Sequence, residues 1–190
     1  MNKIVFMTAA ILFAATASFA QSWTWDKVHS QLNFVVTHNT INQFEGNFTS
    51  VDAQITASKD DFSDAQIQLT ADVTSVNTGN EQRNNHLKSP DFFNAAQFGT
   101  LSFKSTSFQK VGDKNYKLTG DLTLHGVTKP VVLDAVYNGT VVNPMNKKTV
   151  AGFKVTGSFK RSDFGIGSAM PVAVVSDEVA LDANAEFVKN

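Results

Sequence analysis

Cysteine is absent from all 190 residues. No disulfide can staple the fold, no thiolate can serve as nucleophile or soft metal ligand, and no lipidated cysteine can anchor the chain. Clustered basic charge is missing as well: 16 Lys and Arg are dispersed against 17 Asp and Glu. Nucleic acid, which is gripped by concentrated cations, is a poor match for that balance. There is no Gly-x-Ser-x-Gly nucleophile elbow, and almost no long helix-forming stretch.

Long apolar runs are confined to the N-terminus. Lys3 precedes an apolar run from Ile4 to Ala17, followed by Ser18-Phe19-Ala20 with small residues where a signal peptidase cuts. We expect residues 1–20 to be a cleavable secretory signal and the protein to be periplasmic. The run is interrupted by Thr8 and Thr16 and is short for a membrane span, so no integral span is expected. Residues 21–190 then form a single domain large enough to bury a core without staples. Without Lys3 the balance is 15 basic against 17 acidic residues, a charge of −2.

What the chain does have is aromatic and β-branched residues, with 16 Phe and 2 Trp. These favour strands. Leu32, Phe34, Val36 and His38 share one face of a period-two segment. Past Phe44 and Phe48, which flank Gly46, the apolar parity switches to Val51, Ala53, Ile55 and Ala57, and a bulge or sharp bend is predicted there. Ala65, Ile67, Leu69, Ala71 and Val73 alternate without interruption. Leu101 and Phe103 run to a turn at 111–115, and Tyr116, Leu118, Gly120, Leu122 and Leu124 return from it as a hairpin. A turn from Gly126 to Pro130 leads to Val131, Leu133, Ala135 and Tyr137. Strands carrying Ala151, Phe153, Val155, Gly157 and Phe159, and then Val179, Leu181, Ala183, Ala185 and Phe187, complete the set.

About eight antiparallel strands close into a barrel or stack as a sandwich. The many small inward residues, such as Ala53, Gly120, Gly157 and Ala183, favour a hollow eight-stranded barrel able to hold one ligand. The alternative is that they make room for Phe and Trp opposite, in a filled core. An outer-membrane barrel fits poorly, because the polar faces carry ordinary Gln, Asp, Lys and Thr and no aromatic girdles flank the strands.

Residues 78–98 break the alternation. Ser89 suits a helix N-cap, with Pro90 at the first helical position and Asp91 in the first turn, so a short helical insertion near residues 80–95 is predicted. A crossover loop whose Phe92 and Phe93 plug a core end is the alternative. Arg83 and His86 could grip a phosphate or carboxylate beside these aromatics. His29, His38, His86 and His125, spaced 9, 48 and 39 residues apart, match no metal signature, and no metal is expected. On parity His38 is a buried, hydrogen-bonded histidine at the barrel mouth, and His125 bonds within the Gly126 turn. Arg161 and Asp163 are close enough in sequence to pair with each other.

Several pieces together are specific. Trp25-Asp26, His29-Ser30, His38, Gly46 with Phe48, Ser75-Val76 with Thr78-Gly79, and Arg83 with His86-Leu87 come first. Asp91-Phe92-Phe93, residues 120–128, Arg161-Ser162-Asp163-Phe164-Gly165 and residues 175–179 follow in order. In these the chain resembles the YceI-like family of exported bacterial proteins. The resemblance implies an all-β, extended lipocalin-like barrel that holds a polyisoprenoid or similar long-chain lipid, without catalysis and with no other cofactor. It implies a tail site built from Phe34, Val36 and Phe48, from Ile67 and Leu69, from Phe92 and Phe93, from Phe103, Leu118 and Leu122, and from Phe153 and Leu181. Arg83, His86 and His38 would meet the head group. A homodimer is left open. Two positions depart from the family pattern: Asn84 stands where an acid usually follows the arginine, and Phe98-Gly99 replaces an aromatic-proline step. A non-enzymatic structural barrel and an enzyme acting on isoprenoids are the competing functions.

Overall fold

The computed structural model describes residues 20–190, so the predicted signal segment, residues 1–19 of it, lies outside the described residues. Alternating apolar residues form eleven strands: β1 (Gln21–Trp25), β2 (Gln31–His38), β3 (Asn42–Phe48), β4 (Val51–Ala57), β5 (Gln66–Asp72), β6 (Val76–Asn77), β7 (Thr100–Lys110), β8 (Asn115–Leu124), β9 (Val127–Val142), β10 (Thr149–Lys160) and β11 (Glu178–Lys189). All pair antiparallel, and β1 pairs back onto β11 so that the sheet closes. The eleven strands make eight staves, because three staves are each broken in two.

The breaks follow from the register. β11 carries β1 at one end (Trp25↔Phe187) and β2 further along (Phe34↔Leu181), so β1 and β2 are one stave interrupted at residues 26–30. β4 lies beside β1 and β3 beside β2, which makes a second stave bent at Thr49-Ser50. β5 and β6 form the third, broken by a 3₁₀ turn at Val73–Ser75. The parity switch expected near Gly46 is this bend, not a bulge at the glycine. Gly46 instead makes room, since a Cβ there would come within 2.3 Å of the Phe34 ring. The register shifts lie elsewhere, at Ser105/Ser107 and Gly152/Phe153.

Hydrogen bonds pin the first break. The Asp26 N–H donates to the Glu186 carbonyl at 2.9 Å, and the Glu186 N–H to Ser30 Oγ at 2.8 Å. Asp26 accepts from the Val28 N–H and pairs with His29 Nδ1, each at 2.9 Å. That bond holds the Asp26 carboxyl below its usual pKa and raises the His29 imidazole above its own. With Glu186 these two bring ligand-type atoms within 4.8 Å of one another, but Asp26 and His29 already engage each other and the loop.

The barrel interior is lined by apolar residues, the opposite of a water-filled outer-membrane channel. The lower end is sealed by Phe62, 1% exposed, whose ring meets Trp23, Tyr137 and Phe153 at 5.1 to 5.3 Å. Tyr116 stacks on Phe108 at 4.5 Å and donates its hydroxyl to the Asp61 carbonyl, and burial raises its pKa. At the upper end β8 turns into β9 through two residues only, His125 and Gly126, both at positive φ (52° and 74°). Pro130 is therefore inside β9 and not part of a longer turn. No helix is long and apolar enough to cross a membrane among the described residues.

Candidate functional site

The barrel is not solidly filled. A lower chamber of about 110 Å³ is walled by apolar groups, with Asn33 its one polar lining residue. Phe34, Val36, His38, Phe44 and the irregular segments above enclose an upper chamber of about 410 Å³. Phe34, Phe48, Leu101, Phe159 and Leu181 border both, so the two chambers adjoin across these five side chains. The small inward residues divide between the two anticipated roles. Gly120 and Gly157 are taken up by Phe103 and Leu133, which approach within 2.3 and 2.4 Å of where a Cβ would stand. Ala53, Ala135, Ala183 and Ala185 line the lower chamber.

Every residue assigned to the tail site lies on this wall. Ile67, Leu69, Phe103, Leu118, Leu122 and Phe153 line the lower chamber, and Val36, Phe92 and Phe93 the upper. Phe34, Phe48 and Leu181 line both. The head-group set, Arg83, His86 and His38, is gathered at the upper chamber.

The segment that holds Arg83 and His86 folds differently from the expectation. The helix α1 is Glu81–Lys88, so it precedes Ser89. Asn80 is its N-cap, accepting from the Arg83 N–H at 2.9 Å, and Glu81 provides the first-turn acid. Ser89 caps the C-terminus, its hydroxyl donating to the His86 carbonyl at 2.7 Å, and Pro90 stops the helix. Residues 91–97 then form turns that bury Phe92. Because β6 pairs only with β3, the third and fourth staves part above Asp72, and the insertion occupies that gap.

Arg83 donates from Nε to Thr78 Oγ1 at 2.8 Å and from Nη2 to the Thr78 carbonyl at 2.7 Å, with Cζ 4.7 Å from the Phe44 ring centroid. Asn84 has a task of its own: its Oδ1 accepts from the Thr78 N–H (2.8 Å) and hydroxyl (2.7 Å) and so fixes the residue that fixes Arg83. Among the described residues no carboxylate pairs with Arg83, and Nη1 has no protein acceptor. His86 lies edge-on to Phe92 at 4.9 Å, with Nε2 3.5 Å from Asp91. His38 is only half-buried and its ring makes no hydrogen bond among the described residues; it packs edge-on to Phe44 at 5.2 Å.

Two further expectations are corrected. Arg161 does not pair with Asp163. It is 5% exposed, and its guanidinium donates to the carbonyls of Ile166, Gly167, Met170, Val175 and Ser176 at 2.6 to 3.1 Å. That fan holds the loop at 165–176, whose Ile166, Met170 and Val174 wall the upper chamber. His125 bonds across the mouth, not within its turn, donating Nδ1–H to the Phe164 carbonyl at 2.9 Å. Sequence reasoning passed over this loop and Phe44, although the non-alternating run from Ile166 to Val175 was a signal.

A family model, the YceI-like domain, matches residues 23–187. A UPF0312 protein of Staphylococcus aureus (strain N315) is 34% identical over 170 residues, which cover 87% of this chain and 96% of that protein. A YceI protein from Campylobacter jejuni is 33% identical with a TM-score of 0.73, covering 79% of this chain and 87% of the other. A polyisoprenoid binding domain from Saccharophagus degradans shares the fold at 19% identity and a TM-score of 0.66, over 88% of this chain and 98% of that one.

Proposed function

The chain belongs to the YceI-like family, and from that premise we propose that it is a non-catalytic periplasmic carrier that shields a long-chain lipid in its tunnel. One observation carries this: an apolar lower chamber adjoins an upper one whose lining includes Arg83, His86 and His38. That gradient matches an amphiphile, tail below and head above. The free Nη1 of Arg83 offers a charge-assisted bond to a phosphate or carboxylate. An empty apolar void also has a cost. At roughly 24 cal/mol per Å³, the lower chamber alone represents about 2–3 kcal/mol that an apolar occupant recovers. The polyisoprenoid binding of the Saccharophagus degradans domain supports a polyisoprenoid or related lipid as the occupant.

Protein isolated from the periplasm without organic solvent should carry one lipid-sized adduct in native mass spectrometry, lost on solvent extraction. An unadorned mass, with no uptake of added long-chain lipid, would overturn the proposal.

A further inference from the structure

β9 and β10 are paired from Thr149↔Val142 to Thr156↔Asp134 and no further. Yet β9 begins at Val127 and β10 runs on to Lys160. Each unpaired segment is fixed on its other side. Residues 127–133 remain zipped to β8, and residues 157–160 remain paired with β11 as far as Lys160↔Glu178. The split is thus built into the sheet. Pro130, with no N–H to donate, sits in the open stretch, where a strand tolerates it.

An opening of about 470 Å³ occupies the split. A groove on an intact sheet touches one pleat face only, because successive side chains point to opposite sides. This opening touches both faces of both strands: inward Val131 and Phe159, outward Val132 and Ser158. It reaches the inward-facing side chains from outside. Val131 also lines the lower chamber, and Phe159 lines both chambers. The Phe159 ring therefore stands between the outside and the tunnel, edge-on to Phe164 at 5.2 Å.

We propose that the split is a second, lateral portal of the tunnel, with Phe159 as its gate, through which the hydrocarbon part of a long-chain lipid passes. This rests on the carrier function proposed above. The rim alternates Lys129 and Lys160 with Asp163 and Glu178, so it holds no excess charge to retain an anionic head. The floor is closed by Phe62, so without a side opening a chain leaves only end-first through the mouth. Rotation of a half-exposed ring is fast compared with lipid transfer.

Because the chain lacks cysteine, Val132→Cys at the exposed rim can be tagged alone with a thiol-reactive polyethylene glycol, and Lys104→Cys on β7 serves as control. Exchange of cis-parinaric acid with phosphatidylcholine vesicles is followed by stopped-flow fluorescence. The tag at residue 132 should slow uptake and release about tenfold at unchanged equilibrium occupancy, whereas the control should not, and Phe159→Ala should accelerate both. Equal rates in the two tagged proteins, with Phe159→Ala no faster than wild type, would overturn the portal alone. Wild-type protein that takes up no probe would overturn the carrier function, and the portal with it.

Discussion

At the lower end of the barrel a loop sets Phe62 among the buried Trp23 and Phe153 and the partly buried Tyr137; at the upper end α1 contributes no buried residue at all. The floor is closed by apolar packing. The mouth is held open by polar ties, with Asn80 capping α1, Asn84 fixing Thr78, and Arg161 gathering five carbonyls. Such a division places rigidity where a tail must be excluded from water and looser structure where a ligand must enter.

Phe62→Ala should have the largest effect. Removing a fully buried ring from the floor costs about 3–5 kcal/mol in urea unfolding, while an anionic lipid still meets an intact mouth. If lipid affinity fell as steeply as stability, the two ends would not be separable. Arg161→Ala should cost about 3 kcal/mol, a fall in Tm of about 6–12 °C, because it leaves buried carbonyls without donors. Unlike the floor variant, it should also weaken lipid binding, since the loop it holds walls the upper chamber. Arg83→Ala should lower the affinity for a carboxylate-headed lipid about tenfold, with little change for the corresponding alcohol. Equal losses for both would remove the arginine from head-group recognition.

The smallest effect tests the stave break, which belongs to neither end. The His29 pKa is raised above 6.5 by Asp26, so its contribution to stability is complete below that value and is lost as pH rises through the raised one. The Asp26 pKa is lowered below 3.8, so its contribution is present above that value and is lost as pH falls through the lowered one. His29→Gln should therefore differ most from wild type in Tm between these limits and converge with it in alkaline buffer. A constant difference across pH would rule out the ion pair as the cause.

Much of the sheet was legible because burial on one face enforces period two: Ile67 and Leu69 in β5, and Leu181 to Phe187 in β11, lie as their alternation dictates. The tunnel wall was legible for the same reason. The helix falls within the expected residues 80–95, but its start was misplaced because Ser89-Pro90 suits both a start and a stop, and the polar run Glu81–Lys88 has no apolar stripe to mark it. Arg161 was paired with the wrong partner because its acceptors come from a loop that only tertiary folding brings to it. The split between β9 and β10 depends on register between strands, and composition carries no trace of it. Phe62 sits in a turn, at positive φ, where no periodicity reports burial.

The direction of the tunnel is the central claim, and the two tryptophans report on it, since Trp25 lines the lower chamber and Trp23 lies beside Phe62. Fatty acids carrying a nitroxide either near the methyl end or beside the carboxylate can be compared as quenchers of tryptophan fluorescence. Strong quenching by the methyl-end label and weak quenching by the carboxylate-side label is the predicted result; the reverse order, or equal quenching by both, would contradict a lipid held tail-down with its head at Arg83.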